Sequence, residues 1–253
     1  MKAEGKRKGR TISCVNQKGG VGKSTTCFNV GAALARDGYK VLLVDMDPQG
    51  DCSTMFGYEL DKEDLSTYEV LHGEDITQAI KTAGGLSMIL SDEGLHVAEF
   101  DFARKERNVL RNALSGVKSD YDFILIDCPP ALGVLTVNAL AASDEVIIPV
   151  QAQYLPLRGV SRLRDTIEAT RHNINKGLRI GGVVLTFYDE RRKLDAEVRE
   201  SIEEAFGGKV FKTKISRSIK LAEAPSFKQS IFEYSPRSKG AIQYKALAAE
   251  IAK

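Results

Sequence analysis

The sequence predicts an α/β fold built as a doubly wound, mostly parallel sheet with helices on both faces. Three observations predict it. Short, unbroken apolar runs alternate with segments of helical periodicity. A glycine-rich loop closes the first run and opens the first helical segment. Two further runs end in aspartate. Strands of a parallel sheet are covered on both faces, so they read as continuous apolar runs, and alternation with helices implies right-handed crossovers.

The elements follow in order. Residues 11–16 are a short apolar run closed by glycines. Residues 24–37 carry a helical pattern with Phe28, Val30, Ala33 and Leu34 on its apolar face, stopped by Gly38. Residues 40–45, Lys-Val-Leu-Leu-Val-Asp, read as a buried strand, and so do 123–127, 145–150 and 180–187. Helical patterns cover 103–114, 134–142, 160–171 and 194–205. Residues 51–100 are less periodic and predict smaller helices and an edge strand. Residues 241–253 are alanine-rich and read as a packing helix. No repeat, low-complexity linker or domain boundary interrupts the pattern. The organisation expected is a single domain over 11–253 behind a flexible basic tail, 1–10, which carries Lys2, Lys6, Arg7, Lys8 and Arg10.

Composition sets limits. The 253 residues carry a formal net charge of +2, so no global basic field points to nucleic acid, and any such surface must be a local patch. No apolar run reaches the ~18 residues of a membrane-spanning helix. The run after the basic tail is too short for a signal peptide. A cytoplasmic protein is expected. Cys14, Cys27, Cys52 and Cys128 lack Cys-x-x-Cys or zinc-ligand spacing and read as reduced thiols. His72, His96 and His172 are scattered, which disfavours a histidine metal site.

The segment from Asn16 through Lys18, Gly19, Gly20, Val21, Gly22, Lys23, Ser24 and Thr25 lies between the first strand and the first helix. Glycines there let backbone N–H groups face a phosphate without a clashing Cβ, and the following helix aims its positive end at the same place. Lys23 can reach the β- and γ-phosphates of ATP, and the Ser24 hydroxyl can ligate Mg²⁺. The usual phosphate-loop pattern is G-x-x-x-x-G-K-[ST]. Gln17 occupies its first glycine position, and a lysine, Lys18, follows directly. Asp45 and Asp127 end two strands, and Asp47 lies two residues beyond Asp45. Ligands in open α/β sheets bind at the carboxyl ends of strands, so these aspartates should face the loop. Asp127 is the expected Mg²⁺ carboxylate, acting through water, and Asp47 the group that orients or deprotonates the attacking water. Lys23 and Asp47 are therefore candidate catalytic residues. A glycine turn or an Asp-Pro turn alone would be an ordinary structural feature; it is their combination that points to an ATPase of the P-loop fold.

With these residues in place, the sequence resembles the ParA/MinD group of deviant Walker A ATPases, and within it the ParA/Soj partitioning branch. The resemblance is carried by 15–26, Val44-Asp45-Met46-Asp47-Pro48-Gln49-Gly50, 122–130, 135–140, 185–189, Glu223-Ala224-Pro225-Ser226 and 234–240, in family order. It implies slow intrinsic ATP hydrolysis and an ATP-bound sandwich homodimer in which Lys18 reaches the partner's phosphates. It also implies binding of that dimer to double-stranded DNA without sequence preference, and a ParB-like protein that stimulates hydrolysis and releases it at the nucleoid. DNA contact of this kind is phosphate neutralisation. The family's basic positions map to Arg191 and Lys220, with Arg192 and Arg217 as neighbours. The family commonly has Pro-Arg-Asn-Val-Arg where this chain has Ser216-Arg217-Ser218-Ile219-Lys220. The proline and asparagine positions lie near the adenine, which makes Ser216 and Ser218 the candidate base contacts. Lysine at 220 keeps the charge but loses the bidentate fork. Other readings make demands that this sequence does not meet. A MinD-like membrane ATPase needs a bulky amphipathic C-terminal helix, which the alanine-rich end does not supply, so stable membrane association is not expected. A redox ATPase holding a bridging iron–sulfur cluster needs a second suitable cysteine besides Cys128, and none is present near 91–100.

Overall fold

Seven strands assemble into one sheet: β1 (Arg10–Cys14), β2 (Val41–Asp45), β3 (Ile80–Ala83), β4 (Leu86–Ile89), β5 (Phe123–Asp127), β6 (Glu145–Gln151) and β7 (Arg179–Thr186). Their spatial order is β3-β4-β2-β5-β1-β6-β7. The computed structural model describes residues 9–102, 106–152 and 157–253. Every neighbouring pair is parallel except β3 and β4. Side chains alternate across the central strands. Leu42, Val44, Ile124 and Ile126 pack into one core, and Leu43, Leu125, Ile12 and Cys14 into the other. Both faces of the sheet are thus covered, as continuous apolar runs require.

The less periodic stretch resolves into short helices at Asp51–Phe56, Thr67–Leu71, Ile76–Ala79 and Leu95–Asp101, with two strands between them. Where a single edge strand was expected, β3 and β4 form an antiparallel hairpin. Gly84 and Gly85 turn it with φ of 57° and 81°, the left-handed pair that a tight two-residue hairpin needs. Helix Val109–Ser115 is shorter than the expected 103–114. Of that range, 103–105 lie outside the described residues, and 106–108 are not helical. β7 ends at Thr186 rather than 187, because Phe187 adopts φ 53°.

The N-terminal boundary also moves. Gly9 is buried, and a Cβ there would sit 2.4 Å from the Lys118 carbonyl oxygen. Arg10 belongs to β1, not to a tail. It donates to the Ile251 carbonyl (2.7 Å) and to both Glu145 oxygens (3.0 and 2.9 Å), while Arg179 reaches Glu145 from the other side at 2.6 Å. Residues 1–8 of the expected tail lie outside the described residues. Burial pushes the Glu145 carboxyl up, but Arg179 and Arg10 outweigh it and hold the group below its ordinary value of 4.5. A depressed carboxylate contributes stability above its unfolded pKa and loses it as pH falls through the folded value. Glu145→Gln should therefore flatten the acid limb of urea-unfolding stability below pH 4.5; an unchanged limb would show that the ion pairs contribute nothing there.

Helix Lys239–Ile251 packs Ala241, Tyr244, Leu247, Ala248 and Ile251 into the core against helix Lys23–Arg36, with Ile242 left exposed on its outer side. Its apolar side is spent inside the domain. Among the described residues no helix is long and apolar enough to cross a membrane.

Candidate active site

The glycine loop leaves β1 and delivers the chain to helix Lys23–Arg36. Gly20 and Gly22 have φ of 70° and 86°, a region that strains any side chain. Gly22 caps the helix without a side-chain bond, so its first N–H groups stay available to a ligand. The loop is pinned from β6 and β7. Thr186 Oγ1 donates to the Val21 carbonyl at 2.8 Å. Asn16 Nδ2 donates to the Pro149 carbonyl at 2.6 Å, and Asn16 Oδ1 accepts the Lys18 N–H at 3.0 Å.

The aspartates meet the loop because of strand register. Asp127 ends β5 beside Cys14 of β1 on one side and Asp45 of β2 on the other. Both are fully buried, and Lys23 is only 6% exposed. Neither Asp127 oxygen has a hydrogen-bond partner of normal geometry. Burial, and then the Asp45 charge, push the Asp127 carboxyl well above its usual range; Ser24 and Lys23 oppose the shift. A buried carboxylate without a hydrogen-bond partner, beside a second buried aspartate, is electrostatically incomplete. The arrangement fits a divalent cation, with Ser24 and Asp127 as its protein-side holders. Among the described residues no three His, Cys, Asp or Glu side chains cluster to cage a metal alone. That suits Mg²⁺, which keeps waters and shares phosphate oxygens.

A cleft of about 490 Å³ opens over the loop. Gly19, Gly20, Gly22, Lys23, Ser24 and Thr25 line one end together with Asp47; Met55, Phe187, Ile215, Leu221 and Pro225 make an apolar wall; and Ser216 and Ser218 lie along it. Asp47 is 5% exposed, and its Oδ1 accepts the Gln49 N–H at 3.1 Å. Burial raises its pKa, against the pull of that N–H and of Lys23. Such a carboxylate is a better proton acceptor than a solvated one. Ser216 is already engaged: its N–H donates to Gln243 Oε1 at 3.0 Å, and its hydroxyl accepts from Gln243 Nε2 at 2.8 Å. The sequence had not singled out Gln243 or the Thr186 pin. The stretch 185–189 carried part of the resemblance, and it was the signal available for Thr186.

Among the predicted nucleotide and metal residues, Asn16, Lys18, Val21 and Asp127 do not line the cleft, Asp127 being fully buried. Asn16 and the Val21 carbonyl serve the loop's own anchoring. Lys18 is exposed, its Nζ 3.4 Å from Gln151 Oε1. The four cysteines are free and buried. Cys128 is fully buried, which leaves it no surface from which to bridge a cluster between subunits.

The basic positions sit beside the cleft. Phe187 N-terminally precedes the Asp189–Arg192 turn, and Tyr188 N–H donates to the Ile215 carbonyl at 3.0 Å, tying that turn's approach to the segment that carries Arg217 and Lys220. Arg191, Arg192, Arg217 and Lys220 are all exposed. Arg191 and Arg192 pair with Asp189 at 2.9 and 3.8 Å, and Lys220 pairs with Glu223 at 2.9 Å. The Arg191 guanidinium holds the Asp189 carboxyl at about 2.

Residues 9–180 match the AAA domain family. The sporulation initiation inhibitor protein Soj of Bacillus subtilis is 45% identical over 251 residues, covering 96% of this chain and 98% of that protein. The chromosome partitioning protein ParA of Caulobacter vibrioides is 42% identical over 249 residues, covering 96% and 93%. The structure of cobyrinic acid a,c-diamide synthase from Mycobacterium smegmatis with bound ATP analogue and magnesium superimposes with a TM-score of 0.83 at 34% identity, covering 95% and 93%. A parallel sheet with its aspartates gathered over a glycine loop, and near full-length similarity to Soj and ParA, lead to one assignment: this chain belongs to the ParA/Soj family of chromosome- and plasmid-partitioning ATPases.

Proposed function

We propose that this ATPase is a nucleotide-gated switch for DNA segregation, in which an ATP-bound homodimer binds double-stranded DNA without sequence preference. Slow hydrolysis, accelerated by a ParB-like partner, releases it. The observation that carries the reading is the split between the two loop lysines. Lys23 lines its own cleft, while Lys18 is exposed and outside it. A lysine placed so is available to a facing subunit.

Within the site, the loop N–H groups and Lys23 bind the phosphates, and Ser24 and Asp127 hold Mg²⁺. Bound there, Mg²⁺ neutralises phosphate charge. Asp47 orients the attacking water and accepts its proton. Ser216 and Ser218 lie on the wall of the cleft that would receive the base. Arg191, Arg192, Arg217 and Lys220 form the DNA surface, and the protein works in the cytoplasm at the nucleoid.

The test is co-sedimentation with DNA under ATP, ADP and no nucleotide, repeated with liposomes. Binding should require ATP and fall steeply with salt. Equal binding with ADP refutes the switch, and ATP-dependent binding to liposomes in place of DNA would favour a membrane ATPase. Arg191→Ala or Lys220→Ala should weaken DNA binding and reduce the salt slope by about 1 each, with ATP-dependent dimerisation intact. Loss of dimerisation as well would assign those residues to the fold instead.

A further inference from the structure

A closed ring of hydrogen bonds lies behind Asp47, outside the nucleotide cleft. Asp45 Oδ1 accepts the Asp47 N–H at 3.0 Å. Asp45 Oδ2 accepts both the Ser53 N–H, at 2.9 Å, and the Ser53 hydroxyl, at 2.7 Å. Ser53 Oγ accepts the Ser91 N–H at 2.9 Å, and the Ser91 hydroxyl donates to the Asp47 carbonyl at 2.7 Å. The ring joins three elements: the end of β2, helix Asp51–Phe56 and the segment leaving β4. All four residues are buried.

We propose that Ser91 and Ser53 are positioning residues for hydrolysis, holding Asp47 through its main chain so that its carboxylate points into the cleft. This rests on the assignment of Asp47 to the attacking water. Two features set the ring apart from buried hydroxyls that merely satisfy themselves. First, the Asp47 carbonyl already accepts the Gly50 N–H at 2.9 Å, so the Ser91 bond is not needed to satisfy a buried acceptor. Its consequence is directional: the peptide groups on both sides of Asp47 are fixed, one by Asp45 and one by Ser91. Second, neither serine lines the nucleotide cleft; both line an adjoining one of about 410 Å³, walled by Pro48, Gln49 and Gly50. Ser91 reaches the chemistry through the loop that carries Asp47, and Ser53 through that loop and through Asp45. A carboxylate that must meet a water in line with a phosphate loses rate steeply when displaced by an ångström.

The experiment uses the full chain with Ser91→Ala, Ser53→Ala and Ser91→Thr, and Asp47→Ala as reference. Steady-state ATPase, binding of a fluorescent ATP analogue and melting temperature are measured together. Ser91→Ala should lower kcat about tenfold, with nucleotide affinity within about twofold of the parent. Ser53→Ala should act in the same direction. Ser91→Thr, which retains the hydroxyl, should recover most of the loss. If Ser91→Ala melts early, Ser91→Cys, nearly isosteric and only a weak donor, should reproduce the kcat loss at the parental melting temperature. The proposal is overturned if the alanine variants keep parental kcat while Asp47→Ala is inactive, if nucleotide affinity falls in step with kcat, or if Ser91→Thr is no better than Ser91→Ala. Parental turnover in Asp47→Ala instead removes the Asp47 assignment, and this proposal falls with it.

Discussion

Asp47→Ala should abolish turnover while leaving ATP bound, and the protein should accumulate as an ATP dimer on DNA. The expected fall in kcat is about 10²–10⁴, the range for removal of a positioned general base. Binding should survive because the phosphate-holding loop keeps its own anchors, the Thr186 bond to the Val21 carbonyl and the Asn16 bond to the Pro149 carbonyl, neither of which involves the Asp47 carboxylate. Among the described residues, Gln49 supplies the one backbone N–H that this carboxylate accepts, so its removal frees a single donor and leaves a small cavity at the mouth of the loop. Asp47→Asn separates two roles. An amide can orient water but cannot accept a proton, so a rate near that of alanine assigns base chemistry, and an intermediate rate assigns orientation. The pH dependence has a defined sign. Burial raises the Asp47 pKa, so the deprotonated, active form is lost on the acid side earlier than for a free aspartate, and the rate should climb with pH through that raised value. Single-turnover phosphate release, measured beside ATP affinity, checks all of this. Parental phosphate release in Asp47→Ala would strip the residue of its role.

The fold was legible in the sequence where burial on both faces leaves an unbroken apolar run. β2, β5 and β6 emerged at or within a residue of the expected bounds because Val41–Asp45, Phe123–Asp127 and Glu145–Gln151 have no alternative period to suggest. The stretch 51–100 was less legible because its elements are four to seven residues long, too short for a helical or strand period to repeat. The hairpin signal was nonetheless present in Gly84-Gly85. The nucleotide end of the site could be read because its groups lie in short contiguous motifs. The cleft's far wall could not be read from spacing. Thr186, Ser216 and Gln243 are far apart in sequence, and they meet only through the bridge between Thr186 and Ile215 and through the packing of the last helix. The Ser53–Ser91 ring was invisible for the same reason: serine is an ordinary residue at both positions until parallel pairing of β2 with β4 sets Ser91 beside the Asp47 loop.

Lys18→Ala should give the second large effect, and it should be an effect on the pair of subunits rather than on one. Among the described residues Lys18 hydrogen-bonds Gln151 and the Asn16 side chain, and it stands outside the cleft. A monomer lacking the lysine should therefore bind ATP nearly as the parent does. Across a sandwich dimer, the same ammonium would meet the partner's phosphates in a site from which water is excluded. A cation supplied in trans is worth about 10³–10⁵ in rate by analogy with arginine fingers. Where intrinsic turnover is slow, much of that interaction goes into holding the dimer closed. Lys18→Ala should then remain monomeric with ATP in analytical ultracentrifugation, at concentrations where the parent dimerises, and lose DNA binding with it. Mixing gives the decisive measurement. In a heterodimer of Lys18→Ala with Asp47→Ala, the site on the first subunit keeps its own Asp47 and receives Lys18 from the second. Two variants that are each inactive should then regain hydrolysis when combined at high protein concentration, from one competent site per heterodimer. If Lys18 acted within its own chain, that same site would lack its lysine, the other would lack Asp47, and the mixture would stay silent.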